Sequence, residues 1–318
     1  MELLQKTFFA LGTVNTVELP VTGISSQSAH ALLEQIKEEV ERMDDRWSLF
    51  KHDSEVSRIN QLAGKEPCPI SHDTYEIIQT SLELSKRYKG AFDITSQPLS
   101  QLWRIGRQST ALPSKTAVRN TLHLVNYKDI ILHSHPLSAG LKKRGQGIDF
   151  GGIAKGFAAD RARTILLEHG ITHAVLNFGG TVITLGERKN VGIQSPYSTT
   201  GHAIGYLAVK NKAVVTSGIY ERYFVKDKQI YHHIMDTTSG HPSKSGLISV
   251  TVLGDSAIEL DVLAKVLLLG GLSNARKLIH RQKVEAVLIQ EDGKLYMTPE
   301  IAHSFQKTKE NKEILYGA

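Results

Sequence analysis

The sequence predicts an α+β fold made of two interlocked halves with mixed or antiparallel sheets. Two observations carry that expectation. Helical and strand patterns cluster instead of alternating: helix-spaced apolar residues dominate positions 26–90, while short β-branched runs dominate from Ala174 onward. A doubly wound parallel sheet would need strict alternation. Hairpin signals also recur, at Lys226–Gln229 between two apolar runs and at Asp292-Gly293 between two more, and such turns join antiparallel neighbours. No linker interrupts the chain, so a single domain over residues 1–318 is expected, with its core at about 7–300 and a charged, frayed tail from about 307.

In chain order, Thr7–Leu19 reads as one strand ending at Pro20. Ser26 is placed to cap a helix running to about Met43, with Leu32, Leu33, Ile36, Val40 and Met43 as its apolar stripe. Asp53–Leu62 forms a short helix stopped by Gly64. Ser71 begins another, closed by Gly90. Residues 99–143 carry no clean pattern, and Lys142–Gly147 reads as a basic turn. A helix then runs from near Gly152 to Gly170. Strands follow at Ala174–Asn177, Val191–Gln194, Ile204–Val209, Val214–Thr216, Tyr223–Val225, Ile230–Ile234 and Leu247–Leu253. A helix at Ser256–Leu269 and strands at Ala286–Gln290 and Lys294–Met297 complete the chain.

The 318 residues are 41% hydrophobic and 22% charged, the make-up of an ordinary globular protein. One cysteine, Cys68, excludes an internal disulfide and a cysteine-based zinc site. The first twenty residues lack the basic start and apolar core of a signal peptide. No apolar run reaches spanning length. A cytoplasmic protein with no membrane anchor is expected. The net charge of +6 is spread among acids along the chain, which argues against a nucleic-acid surface and suits an anionic small molecule.

Neither of two common nucleotide motifs, the P-loop and the Gly-x-Gly-x-x-Gly turn, is present. Other segments can carry chemistry. In Asp149-Phe150-Gly151-Gly152-Ile153-Ala154-Lys155-Gly156, glycines sit where a helix begins, so free N–H groups and Lys155 can meet an anion; a tight turn with a solvated lysine explains the segment equally well. Asn177-Phe178-Gly179-Gly180 places two glycines at a strand end, a ligand approach point or an ordinary turn. In Tyr231-His232-His233-Ile234-Met235-Asp236 the two histidines of an extended strand face opposite ways, so one can be a general base and the other a packed bystander. In Glu259–Lys265, a helix apolar nearly all round buries Asp261 and Lys265 at i,i+4; they form an ion pair, or Asp261 faces a ligand or metal with Lys265 beside it.

Taken in order, these segments resemble the ApbE family of FAD:protein FMN transferases. The resemblance runs from Leu11-Gly12-Thr13 to about Gly271. It includes Trp47–Glu55 with Ile59-Asn60, Gly90–Thr95 with Pro98-Leu99, Asp149–Gly156, Asn177–Gly180, Val191–Pro196, Thr216–Arg222, His232–Asp236 and the helix around Asp261. It implies an α+β fold with FAD bound between two halves. Leu11, Phe50, Ala91, Phe92, Asp93, Asp149, Lys155, Gly179, Gly180 and Met235 are then expected near FAD. Mg²⁺ is expected at the carbonyls of Gly152 and Ala264, the Asp261 carboxylate and the side chain of residue 265. His233 matches the general base, with Asp236 acting through it and Lys155 neutralising phosphate charge. The implied partner is an acceptor flavoprotein or reductase with a threonine-containing motif. The family pattern has a threonine where this chain has Lys265. The ammonium stands in for the metal, or swings away from a weakened metal site, or marks a chain that only holds FAD. FAD pyrophosphatase activity and plain FAD binding are the alternative functions.

Overall fold

The computed structural model describes residues 3–21, 23–105, 112–198, 201–308 and the backbone of 315–316. Among these are eight α-helices: α1 Ser26–Trp47, α2 Glu55–Gln61, α3 His72–Arg87, α4 Gln97–Trp103, α5 Lys115–Leu122, α6 Ala154–Glu168, α7 Ala257–Gln282 and α8 Pro299–Ser304. The chain divides into two compact units, each assembled from separated segments. The first takes residues 1–42, 154–218 and 245–318; the second takes 43–153 and 219–244.

The first unit is organised by a nine-stranded sheet. Its strands are β1 Leu3–Ala10, β2 Thr13–Pro20, β3 Ala174–Phe178, β4 Thr181–Leu185, β5 Ala213–Gly218, β6 Leu247–Gly254, β7 Glu285–Gln290, β8 Lys294–Met297 and β9 Leu315–Tyr316, neighbours in that order. Every pairing is antiparallel except β8 with β9. The α+β expectation therefore holds, with a large antiparallel sheet. The strands alternate because their buried positions lie two apart, as in β2, where Asn15, Val17 and Leu19 point inward. Helix α7 packs on β5 and β6, and α6 packs on α7.

Several local expectations change. Thr7–Leu19 is a hairpin rather than one strand, because Leu11 (φ 55°) and Gly12 (φ 72°) form its two-residue turn. Leucine is uncommon in that conformation, which hid the turn. Helix α1 includes Ser26, and it is the Ser25 hydroxyl that accepts from the Ser28 N–H at 3.0 Å. Strand β4 was absent from the sequence reading. It exists because Gly179 (φ 55°) and Gly180 (φ 90°) turn β3 straight back on itself. The tail expected to fray begins in a strand: Gln306 and Lys307 pair with Tyr206 and Gly205. Residues 309–314 and 317–318 of that tail, and 106–111 of the unpatterned stretch, lie outside the described residues.

The second unit contains α2 to α5, a three-stranded sheet of residues 68–69, 137–141 and 130–134, and two small hairpins. Ser54 and Ser71 cap α2 and α3, accepting from Ser57 N–H at 2.9 Å and Thr74 N–H at 3.4 Å. Leu99, Trp103, Val118 and Met235 form a buried cluster. No described helix is long and apolar enough to cross a membrane.

Candidate functional site

In the first unit, four of the expected site residues stand on two helices that pack together: Lys155 on α6, and Asp261, Ala264 and Lys265 on α7. Helix α6 opens at Ala154-Lys155-Gly156. A Cβ on Gly156 would lie 2.5 Å from the Ala257 carbonyl oxygen and 2.7 Å from Ile258 Cα. Glycine is required there so that the first turns of the two helices can touch.

Two carboxylates secure that contact. Asp160 on α6 accepts from the Ala257 N–H (3.1 Å), the Ile258 N–H (3.1 Å) and the Ser256 hydroxyl (3.2 Å). Burial pushes the Asp160 carboxyl up, against the pull of those donors and Arg163. Asp261 on α7 accepts from the Gly156 N–H at 3.2 Å through Oδ2. Its Oδ1 accepts from Lys265 Nζ at 2.5 Å, and Lys265 also donates to the Asp261 carbonyl at 3.0 Å. Burial alone would raise the Asp261 carboxyl; the charges of Lys155 and Lys265 outweigh it and hold the group below the usual carboxylate range.

A divalent ion at these residues would need lone pairs from the Asp261 carboxylate, from carbonyls and from side chain 265. Each Asp261 oxygen already accepts one donor, and the Lys265 ammonium has no lone pair to give and repels a cation. The donor set fits a held ammonium and does not fit Mg²⁺. Ala264 is fully buried beside it in α7, and Gly152 lies in the turn before α6. Among the described residues, the side chains whose donor atoms do cluster closely enough for an ion are His72, Asp73 and Glu76, at the exposed start of α3. Asp73 is there engaged by Arg46 at 2.5 Å.

Gly179 and Gly180 form the β3–β4 turn, and a Cβ on Gly179 would lie 2.3 Å from the Thr13 hydroxyl. Leu11 is half-buried in the β1–β2 turn. In the second unit, Asp93 is 7% exposed, and its carboxylate accepts from Thr95 N–H (2.8 Å), Thr95 Oγ1 (2.6 Å) and Tyr127 N–H (2.8 Å). Burial pushes its carboxyl up. Its visible work is to hold the turn that follows Ala91 and Phe92. Asp149 is half-buried and accepts from Gly151 N–H at 2.7 Å. Its segment is held by Asn60, whose amide donates to the Ile148 carbonyl at 3.0 Å and accepts from the Ile148 N–H at 2.7 Å. Phe50 is 86% exposed, the most exposed large apolar side chain among the described residues.

The histidine pair resolves by hydrogen bonding. A carbonyl only accepts, so a ring nitrogen facing one carries the proton. His232 is 3% exposed and donates from Nε2 to the Ser243 carbonyl at 2.9 Å, while its Nδ1 accepts from the Ile234 N–H at 3.3 Å. Burial pushes its pKa down, so it is a neutral, structural histidine. His233 is only half-buried and donates from Nδ1 to the Arg222 carbonyl at 3.1 Å, which leaves the lone pair of the neutral ring on Nε2. The strand expected over Ile230–Ile234 ends at His232 and His233 stands in the bend after it, so it is the hydrogen bonds and not strand alternation that tell the two apart.

The hairpin that ends at His232 is anchored by stacked rings. Phe224 and Tyr231 lie 5.2 Å apart at 16°, and Tyr231 and Trp103 lie 5.8 Å apart at 23°. Trp103 also donates from Nε1 to the Gly240 carbonyl at 2.8 Å, beyond the turn that Asp236 organises. Asp236 accepts through Oδ1 from the Thr238 N–H (2.9 Å) and hydroxyl (2.7 Å). Burial opposes ionisation of Asp236, yet the Thr238 and Ser239 donors keep its carboxyl below the usual range. The partner seen on His233 Nδ1 is the Arg222 carbonyl rather than Asp236. Asn60 and Arg222 stand in segments that carry the family resemblance and Trp103 in an apolar patch, but their partners are not announced by any local pattern, and Asp160 was not singled out at all.

The sequence model of the ApbE family matches residues 11–288. An FAD:protein FMN transferase of Klebsiella pneumoniae (strain 342) is 33% identical over 269 residues, covering 84% of this chain and 85% of that protein. Another, of Treponema pallidum (strain Nichols), is 28% identical over 285 residues and covers 84% of this chain and 79% of its own. The crystal structure of the ApbE protein from Thermotoga maritima matches with a TM-score of 0.85 at 28% identity, covering 95% of this chain and 99% of that one.

Proposed function

Because the chain belongs to the ApbE family, we propose that it is an FAD:protein FMN transferase, moving FMN from FAD onto a threonine hydroxyl of an acceptor flavoprotein and releasing AMP. The single observation that carries the chemical assignment is the hydrogen bond between His233 Nδ1 and the Arg222 carbonyl. With Nδ1–H committed to the Arg222 carbonyl, Nε2 is the basic atom, as a general base for a hydroxyl requires.

The step balances simply. The threonine oxygen bonds to the phosphorus on the riboflavin side of FAD, the bond from that phosphorus to the bridging oxygen breaks, and AMP departs with the electron pair. His233 Nε2 takes the hydroxyl proton. Charge grows on the diphosphate as the bond breaks, so fixed positive groups speed the reaction. Lys155, in the first turn of α6, supplies one such charge together with the N–H groups of the helix start. Asp236 shapes the turn after His233 instead of moving a proton. The exposed Phe50 ring offers a face for a flavin or adenine ring. Leu11, Ala91, Phe92, Asp93, Asp149, Gly179, Gly180 and Met235 complete the proposed FAD-binding set. Asp93 and Met235 would act by fixing backbone, since the former is bonded internally and the latter is buried in the cluster with Leu99, Trp103 and Val118.

The test is to incubate the protein with FAD and an acceptor domain carrying an exposed threonine motif, following the acceptor by intact mass and AMP by chromatography. A mass gain equal to FMN, lost in His233→Gln, is expected. A full gain in His233→Gln would remove the histidine from the role of base, and no gain with wild type would remove the transferase assignment.

A further inference from the structure

We propose that Lys265 is the resident cation of the diphosphate site, so that this chain binds FAD without a divalent metal. The assignment deepens the transferase reading and rests on it. Three observations support it. The Lys265 ammonium sits on Asp261 Oδ1 at 2.5 Å and on the Asp261 carbonyl at 3.0 Å, so a cation already occupies the Oδ1 side of the carboxylate. The side chain of Lys265 is 16% exposed and that of Asp261 is 1% exposed. The carboxylate is all but closed to solvent, and the ammonium is the more exposed of the two. Finally, both Lys155 and Lys265 act on Asp261. Two ammoniums against one carboxylate leave an excess of positive charge. That excess repels a divalent cation and attracts a diphosphate. Lysine is a competent point charge for phosphate oxygens, and its length lets it hold Asp261 while facing a ligand.

Moving Lys265 away to admit a metal would strand a buried carboxylate with the Gly156 N–H as its remaining direct donor. That is a costly state for a group so thoroughly removed from water. The pair is therefore expected to persist when FAD binds.

The test is calorimetric titration of FAD into the protein in excess EDTA and, separately, in excess MgCl₂, for wild type and Lys265→Thr. Wild type is expected to bind with the same Kd, to within about twofold, in both buffers. Lys265→Thr is expected to lose about tenfold or more in EDTA and to regain affinity in magnesium. The wild-type comparison stands by itself if Lys265→Thr does not fold. Wild-type binding that appears only with magnesium would overturn the role of Lys265, and FMN transfer to the acceptor in that buffer would leave the transferase reading intact. Binding in EDTA with no acceptor mass gain in either buffer would uphold Lys265 and sink the transferase reading. Absence of FAD binding in both buffers would overturn both.

Discussion

Asp160 and Asp261 are exchanged across the contact of α6 with α7: each stands on one helix and accepts a main-chain N–H from the first turn of the other. The geometry of each helix start is thus set by the opposite helix. Asp160 is the carboxylate of this arrangement that has no assigned part in the proposed phosphate chemistry. Asp160→Ala leaves the Ala257 and Ile258 N–H groups without their acceptor, and a loss of about 1–2 kcal/mol is expected, read from the urea midpoint. FAD affinity should fall with it, since α7 carries Asp261 and Lys265.

Gly156 makes the same contact possible by lacking a side chain. Gly156→Ala forces a methyl against the Ala257 carbonyl and should destabilise the protein by about 1–3 kcal/mol. Denaturation monitored by circular dichroism measures it; an unchanged midpoint would show that the two helix starts have room to part.

The two adjacent histidines should separate stability from activity. His232→Gln is expected to lower the melting temperature, and His233→Gln to leave it near wild type while abolishing FMN transfer. The pH dependence has a definite sign. The folded protein keeps His232 neutral, with its pKa below the ordinary 6.5, whereas the unfolded chain takes up a proton near that value. Stability from this group is complete above about pH 6.5 and is lost as pH falls from there toward the depressed folded value. Melts between neutral and mildly acidic pH should show a slope in wild type that is shallower in His232→Gln.

Asn60 meets the Ile148 main chain as a neighbouring strand would, giving one hydrogen bond and taking another. Asn60→Asp preserves size and one acceptor but cannot donate. A loss of about 1–3 kcal/mol is expected, together with faster amide exchange around residues 148–151. The exchange readout distinguishes local loosening from a global effect.

Much of this fold was legible in the sequence where short-range rules govern it. The stripe Leu32, Leu33, Ile36, Val40 and Met43 is buried as its spacing requires. The caps Ser54 and Ser71 and the Asp292-Gly293 hairpin are likewise local signals that the structure contains. The hairpin at Leu11-Gly12 was missed because a leucine stands where a turn-former is usual. The turn at Gly179-Gly180 was one of the two readings of that segment, and its positive φ angles serve a tight reversal; strand β4 beyond it was not expected.

At the candidate site, the ion pair of Asp261 with Lys265 followed from helical spacing alone. The reciprocal carboxylates, the Trp103 anchor and the choice between His232 and His233 did not. Each depends on a partner supplied by another element: Ala257 for Asp160, Gly240 for Trp103, and Ser243 against Arg222 for the histidines. Sequence periodicity tells which way a side chain points, not what it will meet.

The seam between β2 and β3 has a consequence for biosynthesis. Glu18 pairs with Val175, and Asn15 with Phe178, so the β1–β2 hairpin acquires this neighbour only after the intervening chain has left the ribosome. Closing so long a loop is entropically slow, and the waiting hairpin presents an open row of hydrogen-bonding groups. Nascent chains arrested before Ala174 therefore expose an edge fit for promiscuous strand addition, which makes the pace of translation through the intervening segments a determinant of yield.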